Sequence, residues 1–203
     1  MRVLPILVTF CLLQVLMCVS LEVTTDSLNN AVKKSAPFLK VFHQDSLSLG
    51  NRDTLSNVQL LYPVLGSGNI QFKFDDFGLL HIKYVNLRLR VTGTNRARVV
   101  SFSVASTFNA ELSNFVWEQV YAIKINEKQD GKLELKKTKT SESQISFNIN
   151  KLTSKSINSK IDIKEIETNI KAQIKLLNFE PLRQQLRKIT ELIFETLQAD
   201  LNK

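Results

Sequence analysis

Cysteine is nearly missing from this chain of 203 residues: Cys11 and Cys18 are the two, both near the front. Residues 21–203 hold none, so a domain made of that stretch has no disulfide and must fold on its apolar core alone. Histidine is as scarce. Neither His43 nor His81 has a cysteine or second histidine at ligand spacing, which speaks against a metal site. No Gly-x-Ser-x-Gly, phosphate-binding glycine loop or Asn-x-Ser/Thr acceptor occurs anywhere. Asp75-Asp76 is a pair of adjacent carboxylates. Neighbours on a strand point to opposite faces and cannot act on one bond, so a charged turn is the plainer reading. These gaps argue against an enzyme, and no cofactor or metal is expected.

Long apolar runs are also lacking, with one exception. Val3 to Val19 follows Arg2 without an acid or a base, and Cys18-Val19-Ser20 offers small residues for cleavage. This reads as a signal peptide over residues 1–20. The alternative is a membrane anchor, for which the run is short of the ~20 residues a span needs. The expectation is a secreted, extracellular monomer of one domain, residues 21–203.

Acids are missing from Phe77 to Ala110, where Lys83, Arg88, Arg90, Arg96 and Arg98 all fall, in a chain of formal charge +8. A solvated strand face, guarded against edge pairing, is one reading. A surface for anionic membranes or lipopolysaccharide is the other. Nucleic acid is not expected, because the aromatics lie on the opposite parity from the bases and stacking needs both together.

What the chain does have is alternation. Ile70, Phe72 and Phe74 share a parity that Leu80, Ile82 and Tyr84 continue. The phase slips, and Val85, Leu87, Leu89 and Val91 carry on. After a turn-like Thr92-Gly93-Thr94-Asn95 come Val100, Phe102, Val104, Phe108, Ala110 and Leu112. A second slip leads to Trp117, Gln119, Tyr121, Ile123 and Ile125. Period-2 alternation is the mark of a half-buried strand, and each slip needs a bulge or a turn. The pattern predicts a long, strongly bent antiparallel sheet, apolar on one side.

The flanks are helical. Thr24, Thr25 or Asp26 can cap a helix carrying Leu28, Val32, Leu39 and Phe42, which Pro37 should kink or split. Gln44 to Ser56 reads as a loop. Val58 to Leu65, with Pro63, suits an edge or a lining segment rather than a central strand. Asp130-Gly131 marks a hairpin before Leu133 and Leu135, and Ile145, Phe147 and Ile149 form the next strand. Ile166 to Leu176 fits both a strand and a helix; the strand is preferred, because the even positions alternate without fault and isoleucine is β-branched. Pro181 opens a helix striped by Leu182, Leu186, Ile189, Ile193 and Leu197, with Leu201 one turn on. Helix, many strands, helix gives α+β, with both helices free to lie in one curled sheet.

In this order the chain resembles a single-domain member of the tubular lipid-binding superfamily. That group includes the bactericidal permeability-increasing, lipopolysaccharide-binding and PLUNC proteins, the insect takeout and juvenile-hormone-binding proteins, and the group 7 mite allergens. The segment Ser27 to Lys40, the meander of long amphipathic strands, and the late alternating stretch running into Pro181 to Leu201 carry the likeness. The resemblance implies a highly curved sheet wrapped around N- and C-terminal amphipathic helices, with an apolar tunnel for a lipid-like ligand. The missing disulfide favours a cysteine-free branch. No binding motif transfers by position, so the expected lining follows parity alone: Phe72, Phe74, Leu87, Leu89, Phe102, Val104, Phe108, Trp117 and Tyr121, with Leu186 and Ile193 from the last helix. A plainly filled core is the alternative to a tunnel. The functional expectation is a carrier of lipid-like molecules, and the other class is a cationic binder of anionic membranes or lipopolysaccharide.

Overall fold

The computed structural model describes residues 23–39, 46–61, 65–99, 102–156 and 163–203, and for residues 36–39, 97–99, 102–104, 156 and 163 the backbone alone. The expected signal peptide, His43 and Pro63 lie outside the described residues. Helix α1 (Thr25–Leu39) precedes strands β1 (Ser46–Arg52) and β2 (Leu55–Leu61). A 3₁₀ turn, Ser67–Asn69, leads into β3 (Ile70–Phe74), β4 (Leu79–Val85), β5 (Leu89–Val99), β6 (Phe102–Glu127), β7 (Leu133–Glu142) and β8 (Ser146–Ser156). Helices α2 (Ile163–Lys175) and α3 (Glu180–Asp200) follow.

The eight strands form one open antiparallel sheet in the order β1-β2-β5-β6-β4-β3, with β7 and β8 also paired to β6. Strand β6 is 26 residues long and serves four neighbours. Its first half is flanked by β5 and β8, its second by β4 and β7. Together with the helices this is the expected α+β architecture.

Both expected phase slips are present, and asparagine makes them. Asn86 (φ +55°) sits between β4 and β5, and Asn114 (φ +50°) interrupts β6 between Leu112 and Phe115. Asparagine tolerates this left-handed backbone better than other side chains with a Cβ. At Asn114 the register against β8 shifts between Ser113 and Val116, so Leu112, Phe115 and Trp117 all reach the buried face. Asn57 (φ +52°) does the same in β2, where pairing with β5 jumps between Ser56 and Gln59. Such bulges bend the strands that carry them.

Three expectations along this part are corrected. Residues 46–52, expected in a loop, form β1, which turns at Asp53-Thr54 onto β2; Leu47 and Leu49 alternate inward as the apolar half of an otherwise polar strand. β2 is not an edge, for it lies between β1 and β5 and ends at Leu61, before Pro63. Thr92 to Asn95 is no turn but the middle of β5, paired residue by residue with Asn109 to Ser106. Gly93 is there for space. A Cβ built on it would lie 2.8 Å from the Phe108 ring and 3.1 Å from the Ser56 carbonyl oxygen.

The helices follow caps and stripes. Thr24 caps α1 reciprocally with Ser27: the Ser27 N–H donates to Thr24 Oγ1 at 3.1 Å, and the Thr24 N–H to Ser27 Oγ at 2.9 Å. Pro37 does not split α1, which runs on to Leu39. Residues 166–176 are not a strand. Ile166, Ile170, Ile174 and Leu177 are buried, while Thr168 and Ala172 between them are exposed and Leu176 is 56% exposed. The interval of three and four decides, since one helical stripe buries all four against the sheet. Thr168 is satisfied inside the helix by donating to the Lys164 carbonyl at 2.8 Å. The stripe of α3 is as expected, with Leu182, Leu186, Ile189, Ile193 and Leu197 all buried and Pro181 in its first turn.

Polar contacts orient α3. The Tyr84 hydroxyl donates to the Leu186 carbonyl at 2.9 Å and lies 2.8 Å from Thr190 Oγ1, which donates to Gln119 Oε1 at 2.8 Å. Burial pushes the Tyr84 phenol well above its ordinary range, so it stays a donor. Arg187 grips both oxygens of Glu142 at the end of β7 and also reaches Glu180. At the other end, the Gln198 and Asn202 amides bond the backbone of Leu133 and Leu135, covering the start of β7.

Gly93→Ala should cost about 1–3 kcal/mol, as overpacking does. Phe108→Leu in the same chain should return part of that loss, giving less than additive values in urea unfolding. A neutral Gly93→Ala would show that the Phe108 ring moves freely.

Candidate binding site

The expected lining residues fall mostly in one place. Leu87, Leu89, Phe108, Trp117, Tyr121, Leu186 and Ile193 are buried in a single apolar cluster, with Phe72 and Phe74 half-buried against it. Trp117 packs on Tyr84 at 5.6 Å between ring centroids, and Tyr121 meets Phe194 of α3 edge-on at 5.1 Å. Phe102 and Val104 pair with Val99 and Ala97 in the β5–β6 ladder, and their side chains lie outside the described residues.

Sequence reasoning missed several members of this cluster. Tyr84 and Phe115 are fully buried and Phe194 nearly so, and Ile166, Ile170 and Ile174 line it from α2. The parity pattern contained Tyr84, and four-residue spacing contained the three isoleucines. Buried Asn95, Ser106 and Thr190 were missed as well, while Gln119 is buried on the apolar parity where the alternation puts it. Asn95 shares the parity of Leu89 and Val91, and Ser106 that of Phe108, so each sits on the inner face despite its chemistry.

Around this core the inner face continues with half-buried Ile123, Leu135, Ile145, Phe147, Ile149 and Leu152 along β6, β7 and β8. Phe147 meets Phe179, which precedes α3, at 5.1 Å. Lys137 lies 4.4 Å from the Phe194 ring centre and pairs with Glu191 of α3.

A cleft of about 660 Å³ opens at the rim, where the start of α1 meets β3, β4 and β6; Thr25, Asn29, Ile70, Phe72, Lys73, Asp75, His81, Lys83 and Glu118 are among its walls. His81 is fixed on both sides. Its Nδ1 is 2.8 Å from Glu118 Oε1 and its Nε2 is 3.2 Å from Asp75 Oδ2. Glu118 first and Asp75 second raise the His81 pKa above its ordinary value, against some desolvation. Asp75 is the turn residue anticipated at Asp75-Asp76, and its Oδ1 accepts the N–H groups of Phe77 and Leu79. The Leu79 bond foremost, and the bonds to His81 and Phe77, hold its carboxyl below the usual range. Lys73 lies opposite His81 in the ladder, and Lys83 Nζ is 3.5 Å from Glu118. With both ring nitrogens engaged by carboxylates, His81 has no free nitrogen to take a substrate proton. The arrangement ties the β3–β4 turn to β6.

The basic residues do not make an acid-free surface. Glu111 of β6 lies opposite Arg90, 3.6 Å from its guanidinium, and Glu118 stands opposite Lys83. Pairing brings acids from beyond the acid-free span to two of its bases. Arg88 and Arg96 are exposed, and the Arg98 side chain lies outside the described residues. Among the described residues no group of three His, Cys, Asp or Glu side chains is arranged to hold a metal ion, and no helix is long and apolar enough to cross a membrane.

No protein-family description matches this chain, and neither does any curated protein sequence. Among solved structures it is similar to Takeout 1 of Epiphyas postvittana, at 14% sequence identity and a TM-score of 0.41, over 87% of this chain and 89% of that one.

The His81 pair has a defined pH signature. His81 holds its proton more tightly folded than unfolded, so its contribution is complete below the unfolded value of about 6.5 and is lost as pH rises through the folded value. The stability gap between wild type and His81→Gln should therefore be wide near about pH 5.5 and narrow near about pH 9. Urea midpoints at the two pH values read it, and a gap that does not change would remove the charge clamp.

Proposed function

We propose that this chain is a secreted, non-enzymatic carrier of lipid-like hydrophobic molecules, held along the inner face of the sheet in the manner of the tubular lipid-binding proteins it resembles. The observation that carries the reading is a mismatch of lengths. A 26-residue strand such as β6 has a contour of about 85 Å, whereas the 21 residues of α3 span about 30 Å and the 13 residues of α2, packed on β5 and β8, about 20 Å. Beside the tightly packed centre the inner face stays apolar along β8 and the residue before it, through Ile145, Phe147, Ile149 and Leu152, on the side where α2 packs. These residues are half-buried, and such a surface suits an elongated apolar ligand. A cationic membrane binder is the weaker reading, because Glu111 and Glu118 stand among the bases it would use.

Trp117, the sole tryptophan, belongs to the same face and serves as reporter. Titrating the secreted, delipidated protein with long-chain alcohols, methyl esters and fatty acids should change its emission saturably for at least one class. The expected Kd is roughly micromolar, about −8 kcal/mol. Ile149→Phe, which leaves Trp117 the sole tryptophan, should weaken binding while leaving the thermal midpoint in place. Absence of saturable binding to every class sinks the carrier reading.

A further inference from the structure

The inner face changes character along β5, β6 and β8. Leu60, Val91, Ala110 and Leu152 form one cross-strand row, apolar throughout. The next row is Gly93, Phe108 and Ser154, and the one after it is Leu55, Asn95 and Ser106. Within two rows the surface passes from hydrocarbon to amide and hydroxyl. Asn95 is 1% exposed and Ser106 is 3% exposed, so these groups are as deep as the leucines beside them.

Among the described residues they have no hydrogen-bond partner. Neither Nδ2 nor Oδ1 of Asn95 reaches a hydrogen-bond partner, nor does Ser106 Oγ, Ser154 Oγ or Thr54 Oγ1. The Thr54 backbone adjoins this end, accepting the Arg96 N–H at 2.8 Å. Buried polar groups are nearly always paired, and leaving one unpaired is costly. Four such residues from three strands and the β1–β2 turn, at the end of an apolar stripe, make the profile of an amphipathic molecule: a hydrocarbon tail and a polar head.

We infer that this end of the inner face seats the uncharged polar head of a long-chain ligand, a hydroxyl of the fatty-alcohol type, between Asn95, Ser106, Thr54 and Ser154. The inference rests on the carrier reading above and narrows it to a ligand class. A hydroxyl donates once and accepts twice, and the Asn95 amide with the Ser106 hydroxyl offers both roles. An ionised head is a poor match, because no Lys, Arg, Asp or Glu belongs to the three rows, and a buried charge needs a partner. Arg96, next along β5, is exposed.

The test uses the secreted protein and radiolabelled hexadecan-1-ol, with hexadecane as competitor. Asn95→Leu should weaken hexadecan-1-ol by about tenfold, and Ser106→Ala by about threefold, while competition by hexadecane stays as in wild type. The thermal midpoint of Ser106→Ala should not fall, since the lost hydroxyl bonds nothing among the described residues. Should Asn95→Leu fail to fold, Ser106→Ala decides alone. Saturable binding of hexadecan-1-ol that neither variant weakens overturns this inference and leaves the carrier reading standing. If wild type binds neither probe, both fall.

Discussion

The structure depends on one constraint: β6 is longer than any strand that pairs with it, yet most of both its edges must find backbone partners. No single neighbour is long enough. Two strands on each side therefore share the work, β5 with β4 along one edge and β8 with β7 along the other. The handover from one pair to the next comes near Asn114, where the backbone turns left-handed and the register slips. This lets Leu112 and Phe115, an odd number of residues apart, serve the same face. Without the slip, Trp117, Gln119 and Tyr121 would point to solvent, and α3 would lose the Gln119 bond to Thr190 and the Tyr121 contact with Phe194.

Helix α3 then completes the core with two kinds of contact. The leucine and isoleucine stripe supplies area, which is indifferent to rotation by a few degrees. Tyr84, Thr190 and Gln119 supply direction, because their bonds are made in one setting of the helix. Arg187 fixes the axial position through Glu142 and Glu180. The Glu142 carboxyl loses solvation there, yet Arg187 and Lys139 still hold it below the usual range.

Much of the sheet was legible in the sequence because alternation is a direct projection of the pleat. Where side chains are described, the parity from Ile70 to Ile125, both slips and the stripe of α3 appear in the structure as read. Two failures share a cause. Ile166 to Leu176 satisfies period two and period four together, and only the exposure of Thr168, Ala172 and Leu176 separates them. Likewise Thr92-Gly93-Thr94-Asn95 has turn composition, yet the glycine answers the ring of Phe108, fifteen residues away in sequence and directly opposite in the ladder. The partners of the bases were hidden for the same reason. Glu111 and Glu118 are remote from Arg90 and Lys83 along the chain and adjacent only after pairing.

The two ends of the described chain are fastened together. Ser35 of α1 bonds Thr196 of α3 at 2.9 Å, and Lys34 pairs with Asp200. Such contacts have nearly the greatest sequence separation the chain allows, and contacts of that kind slow folding because a long loop must close first. A chain that emerges from its N-terminus makes α1 early and its partner last. Until Asp200 has been synthesised, Leu28, Ala31 and Val32 have no α3 to cover them. Residues 21–203 hold no cysteine that could tie intermediates together, and that interval is when the protein is most exposed to aggregation and to chaperones.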